Sequence, residues 1–412
     1  MRAIIYFLLF GLGVNASAQQ LNPFLSGSES GHTIGLYGNA QAASNVLRVK
    51  FTRDIYTGQF LERDLRQKQS DAIGSSGIVG GQLNYGLYYR HLPDSVTAGW
   101  GWGINVGATL HINAKFSKDA YDLAMFGNAQ FANQTVEMSG LAFNFYDYKS
   151  FGAAVIKDFS LKTGHFRAAL GVNFLLAQKH ASAKFDEASL FTQEYGEYLN
   201  LSLDGTVQSN GMSDGSYFAS NGYGVNANIL LQLIKPKHTL NMELTDMGAL
   251  FMTNAGKEVS LDTTSRFEGL ELDLFSTDSE PFSSLSPDSL TSLFGITNDS
   301  GAYSATLPFS IHARTEHKLA DGKYIVFGGI KYRFAPYFPL IYVGTTFNLP
   351  RHFSIQPAFG WGGYGSWNLG LEIGKRFADV ASIKIGSNNL GGLILPAEAT
   401  GQGGYITMEF HF

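Results

Sequence analysis

The chain of 412 residues contains no cysteine. That excludes disulfides, thiolate metal sites and a Cys nucleophile. Charged residues make up only 15% of it, against roughly a quarter in ordinary soluble domains. The net charge of −5 leaves no basic excess to meet a nucleic acid. Proline is scarce, at 11 residues. Long apolar runs are scarcer still. One, Ala3 to Val14, covers twelve residues, too few to cross a bilayer as a helix. A mean hydropathy of −0.03 excludes a bundle of membrane-spanning helices.

The single apolar run follows Arg2 and precedes Ala16-Ser17-Ala18, a small-residue cleavage site. This is the layout of a secretory signal peptide over 1–18, with cleavage expected after Ala18 and a mature chain over 19–412. With no Cys at the cleavage point, a lipoprotein is not expected. What the chain has in quantity is glycine, 48 residues, and aromatics, 14% of the total.

Apolar and polar residues alternate with a period of two from end to end. In "GWGWGINVGATLHINA", Trp102, Ile104, Val106 and Leu110 fall on one face and Asn105, Thr109, His111 and Asn113 on the other. "YGVNANILLQL", "KYIVFGGIKYRF" and "WNLGLEIGKRF" sort the same way, and each is long enough for a tilted strand to span a bilayer. Short polar breaks ("LPDS", "KTG", "KPKH", "ADG", "NLPRH") separate some runs as hairpin turns. Other connections are long, notably from Phe116 to Gly140 and over 257–301. In the second, Ser286-Pro287-Asp288 marks a short capped helix inside an acidic loop or lid. Short turns on one rim and long loops on the other are the asymmetry of outer-membrane barrels. The expected fold is all-β, a single transmembrane antiparallel β-barrel of about 14 strands with long extracellular loops. A soluble propeller is the rival, but no blade-length repeat is visible.

The ending "GGYITMEFHF" fits this fold. Ile406, Met408, Phe410 and Phe412 share one face, and lipid supplies the cover that a soluble protein would have to provide. A closed wall needs the last strand to pair with the first. Such an ending resembles the signal by which barrel-assembly machinery recognises its clients, which makes that machinery, with outer-membrane lipid, an expected partner.

Two stretches resemble a family. "QQLNPFLSGSESGHTIGLYGNAQAASNVL" and "IKIGSNNLGGLILPAEATGQGGYITMEFHF" are similar to the opening and closing hairpins of exported Bacteroidota barrels of unknown function. These in turn resemble the group holding the long-chain fatty acid transporter FadL and the PorP/SprF-like accessory barrels of gliding and secretion. The resemblance implies residence in the outer membrane of a Gram-negative cell, but no substrate. The long amino-terminal hatch of the fatty acid transporters is not evident. Asn22-Pro23 reads as a turn before the first strand, with a remnant plug as the alternative.

No catalytic constellation, cofactor motif or metal-ligand spacing emerges. The glycine-rich "GGQLNYG" and "GWGGYG" open no helix that could present its amino terminus to a phosphate. By parity the inward faces carry Arg90, His111, Glu243, His312, Arg314, Glu316, Lys331, Arg333, Glu372, Arg376, Lys384, Glu409 and His411. Opposite charges on neighbouring strands would pair and brace the wall. Alternatively, they line a passage and set its selectivity. Phe327, Ile325 and Leu230 are the apolar candidates on these faces. The expected function is non-enzymatic passage of a small or hydrophobic molecule through a gated lumen. The alternatives are a scaffold that anchors secretion, periplasmic or surface proteins, and an outer-membrane enzyme.

Overall fold

The structure, a computed structural model, describes residues 21–27, 30–93, 99–210, 220–253, 256–268 and 299–412. The expected signal peptide and the helix near Ser286 lie outside the described residues.

Fourteen strands form the wall. They are β1 Gly31–Ser44, β2 Gly77–Leu92, β3 Trp100–Phe116, β4 Ala142–Leu161, β5 Gly164–Thr192, β6 Gly222–Ile234 and β7 His238–Met252. There follow β8 Ser310–Leu319, β9 Tyr324–Arg333, β10 Phe338–Leu349, β11 Phe353–Gly363, β12 Trp367–Phe377, β13 Ala381–Ser387 and β14 Gly401–His411. Each pairs antiparallel with the next. β14 then returns to β1 in register from Thr33↔His411 to Ala43↔Gly401, which closes the cylinder. Closure is obligatory in lipid, where an unpaired backbone edge would cost several kcal/mol per group.

The alternation sets which face meets lipid. On β5, Leu170, Val172 and Phe174 are 50%, 53% and 49% exposed, while Ala169, Asn173 and Leu175 between them are buried. Comparable apolar rows stand outside on β3 (Trp102, Ile104, Val106), β10 (Ile341, Val343) and β12 (Leu369, Ile373). Exposed rings gather toward the two rims. Trp100, Phe159, Phe353, Phe377 and Phe410 mark one, and Phe334, Phe338, Trp361 and Trp367 the other, in the manner of interfacial girdles. Lys157 and Lys375 lay their ammonium groups over Trp100 and Phe353, at 4.9 and 4.0 Å from the ring centroids.

The turns after β4, β6, β8, β10 and β12 are short and share the rim at which β1 begins and β14 ends. This is the periplasmic side by the usual asymmetry. Several connections at the other rim are long. Between β1 and β2 lie α1 (Val49–Tyr56) and α2 (Arg63–Ala72), and after β3 comes α3 (Lys118–Phe126). Val46, Phe51, Ile73 and Tyr121 pack these helices into a small cap core. The upper half of β5 rises past the wall. There Ala181–Thr192 pairs with a strand over Leu199–Ser209, which pairs in turn with Lys257–Phe267. The segment 257–301 therefore begins as a strand of this raised sheet, and 269–298 lie outside the described residues. At 7 residues β13 is the shortest wall strand. Above it a helix, α4 (Leu390–Ile394), packs against β12 and β14.

Candidate functional site

The lumen is occupied by the chain's own beginning. Asn22-Pro23 is not a turn leading into β1. It starts a single helical turn, Pro23–Ser26, inside the barrel. The sequence dictates this locally. The Asn22 side chain accepts a hydrogen bond from the Phe24 N–H at 3.0 Å, and Pro23 fills the first helical position, where no N–H is needed. Phe24 and Leu25 then enter an apolar socket made by Tyr88, Leu92, Ala154, Ile156, Ala169 and Leu230.

Polar contacts hold the backbone of this plug to the wall. Arg90 Nη1 donates to Pro23 O at 2.5 Å, Arg167 Nη1 donates to Gly27 O at 2.5 Å, and Asn22 N donates to Glu243 Oε1 at 2.8 Å. Both guanidiniums are buried and balanced. Arg90 meets Glu409 at 3.3 Å, and Tyr88 Oη donates to the same carboxylate at 2.6 Å. Arg167 binds Asp158 through Nε at 2.6 Å and Nη2 at 2.8 Å. At Gly27 a Cβ would stand 1.8 Å from the Arg90 guanidinium, so a larger residue there would have to push that buried head group aside.

A second layer crosses the lumen farther from the periplasmic rim. Arg333 on β9 donates to Gln82 Oε1 on β2 at 2.8 Å and lies 2.8 Å from His111 Nδ1 on β3. Those strands stand on opposite sides of the cylinder. His111 Nε2 also meets Tyr364 Oη at 3.1 Å, and Tyr364 packs edge-on against Tyr337. Burial pushes both phenols above their ordinary range, while the Arg333 guanidinium opposes the shift. They therefore stay protonated. Beyond this layer Tyr146, Leu175, Leu250, Met252, Tyr303 and Leu307 fill one side of the interior.

Between plug and crossing layer lies a chamber of about 140 Å³ lined by Asn39, Asn84, Asn105, Asn173, Asn226 and Lys331, among others. A larger cavity of about 390 Å³ lies on the periplasmic side of the plug and is lined by Arg314, Glu316, Glu372, Lys384 and Glu409.

All thirteen inward candidates can be placed. Arg90 and Glu409 meet, as do His111 and Arg333. Glu243 approaches His312 at 3.7 Å, and His312 Nε2 bonds Tyr342 Oη at 2.6 Å. Arg314 pairs with Glu316 along its own strand at 2.8 Å. Glu372 accepts from Tyr405 Oη at 2.5 Å, and His411 Nδ1 lies 3.2 Å from Thr33 Oγ1. Arg376 is drawn to the rim by Asp379 at 3.0 Å. Lys384 lines the periplasmic cavity and Lys331 the chamber. Of the apolar candidates, Leu230 belongs to the plug socket and Phe327 packs with Leu340 and Tyr342.

Parity misses Asp246. Ala227 pairs with Met247 and Ile229 with Leu244, so Thr245 and Asp246 together face Asn228 in a bulge. Asp246, at φ 61°, is thereby turned inward, where its carboxylate accepts from Asn226 Nδ2 at 3.0 Å. Asp158 and Arg167 are absent from the inward candidates, although counting by twos on either side of the "KTG" turn places both inside; Arg167 grips the plug and Asp158 holds Arg167. Among the described residues no group of three or more His, Asp or Glu side chains could hold a metal ion.

Fold and site together define a β-barrel of the outer-membrane type whose lumen is filled by its own amino-terminal segment and crossed by a polar bridge. Residues 83–380 match the family of unknown function DUF5723, and the chain belongs to that family. No curated protein matches it. Among solved structures it is similar to a mutant of the monoaromatic hydrocarbon channel TodX (deltaS2S3), with 8% identity, a TM-score of 0.49, and 97% of this chain and 96% of that one covered. It is also similar to the Pseudomonas putida toluene transporter TodX, at 9% identity and a TM-score of 0.42 over 97% and 94% of the two chains. The translocator domain of the autotransporter NalP from Neisseria meningitidis follows at 8%, 0.32, 94% and 91%. The closed wall described here rests on this chain's own pairings.

Proposed function

We propose that the protein passes a small molecule across the outer membrane through its lumen, without covalent chemistry, and that residues 21–27 are the removable stopper. Export with loss of residues 1–18 and insertion through the terminal strand are part of this reading. The observation that carries it is how the plug is held. Burying Phe24 and Leu25 contributes about 3–6 kcal/mol. Three hydrogen bonds to charged groups add about 4.5–9. Ordering seven backbone residues costs about 7–14 kcal/mol. The two sides nearly cancel, which suits a part that must leave and return.

The test changes the plug and leaves the wall alone. Leu25→Asp would bury an unpaired carboxylate in the apolar socket, at a cost of several kcal/mol, and should expel the segment. In planar bilayers the variant is expected to show steady conductance where the parent is mostly closed, while Leu25→Met, which conserves volume, stays closed. Equal silence from both variants would sink the passage reading. It would favour a scaffold barrel, for which the Arg333–His111–Gln82 bridge across the lumen is the supporting observation.

A further inference from the structure

The chamber above the plug has a chemistry that a stopper alone does not require. Its lining is amide-rich, with Asn39, Asn84, Asn105, Asn173 and Asn226 brought inward from five different strands. Asn173 Nδ2 donates to Asn226 Oδ1 at 2.6 Å, and Asn226 passes the chain on to Asp246. Asn105 Oδ1 is buried and lacks a hydrogen-bond partner among the described residues. A hydrocarbon in this space would strip water from these groups and offer nothing in return.

The charges sharpen the point. Four side chains of acidic or basic type border the chamber: Glu243, Asp246, Lys331 and Arg333. Three are committed. Glu243 holds the plug at Asn22 N, Asp246 accepts from Asn226, and Arg333 holds His111 and Gln82. Lys331 is the exception: among the described residues it makes no hydrogen bond and no ion pair within 4 Å, and the Glu243 and Asp246 carboxylates reach it only through space. An ammonium with three unspent donors, set among amides that can both give and accept, is a receptor for a hydrogen-bonding anion.

We infer that this chamber is a binding site for a small, water-soluble molecule carrying a carboxylate, whose charge meets Lys331 and whose other polar atoms meet the asparagine amides. The inference rests on the passage reading only in that the bound molecule would be the one carried, and binding is measurable without passage.

The experiment is equilibrium dialysis of the full-length chain in detergent against matched empty micelles, with radiolabelled succinate, erythritol and toluene as probes. Succinate and erythritol have the same number of carbons, so their difference reports the charge. Succinate should be retained more strongly than erythritol, and toluene no more than by empty micelles. Lys331→Met should weaken succinate retention roughly 10- to 100-fold, the worth of a hydrogen bond to a charged group. Lys331→Arg should restore most of it. Lys384→Met, in the other cavity, should leave it unchanged, and heat-modifiable gel migration verifies that each variant is folded. The inference is overturned if toluene is retained above the micelle blank while succinate is not. It also falls if Lys331→Met binds succinate as the parent does, or if no probe is retained. Succinate binding in a barrel that never conducts would keep the site and remove the passage. Conduction without succinate binding would do the reverse.

Discussion

At Gly152 on β4 an added Cβ would lie 1.9 Å from Asn173 Oδ1 and 2.4 Å from Asn105 Oδ1. The absence of a side chain there is what lets two amides from neighbouring strands crowd into the chamber wall. Gly152→Ala should therefore destabilise the barrel by about 1–3 kcal/mol, as overpacking does elsewhere. Gly74 meets nothing within 4 Å and has an ordinary φ, so Gly74→Ala should be neutral or slightly stabilising, by about 0.4–1 kcal/mol. Urea midpoints followed by heat-modifiable migration would separate the two. Much of this scale was legible in the sequence. Arg90, His111 and Glu409 face inward because a strand's side chains alternate strictly. Where one extra residue breaks the alternation, as at Asp246, counting by twos gives the wrong face, and no residue type flags the bulge.

Among the elements, the wall strands were the most readable, because a sheet wetted by hydrocarbon outside and by polar groups inside must alternate along its whole length. The helices were less so. In "RVKFTRDIY", Val49 and Phe51 stand two apart, which imitates a strand, and only Ile55 on the next turn hints at α1. The plug is a third case. Asn-Pro before two apolar residues is a helix-start signature, but four residues of helix are too few for any periodicity to show. The lipid-facing assignment makes its own prediction. Val343 sits midway along β10 and is 60% exposed. In a soluble protein Val343→Arg at so open a position would be nearly neutral. In a bilayer it should cost about 2–4 kcal/mol, measured by urea titration in lipid vesicles. Val343→Thr should cost much less.

For the whole molecule, closure, plug and crossing layer are one arrangement. The β1–β14 seam makes the cylinder, and β1 begins four residues after Gly27, so the segment that fills the lumen is tethered to the strand that completes the wall. That such a segment turns inward was open in the sequence, because Phe24 and Leu25 suit lipid as well as they suit a socket. What decides it is the pair of buried guanidiniums, Arg90 and Arg167, which find backbone carbonyls of the plug to bind. A chain without cysteine allows this to be tested directly, since two introduced thiols, Leu21→Cys on the plug and Lys162→Cys on the periplasmic turn after β4, would be the only ones to carry spin labels. Pulsed electron paramagnetic resonance in lipid vesicles should give one narrow distance distribution, which broadens and lengthens when Leu25→Asp is added. A distribution already broad in the parent, and unchanged by Leu25→Asp, would place the amino-terminal segment outside the lumen and contradict the account.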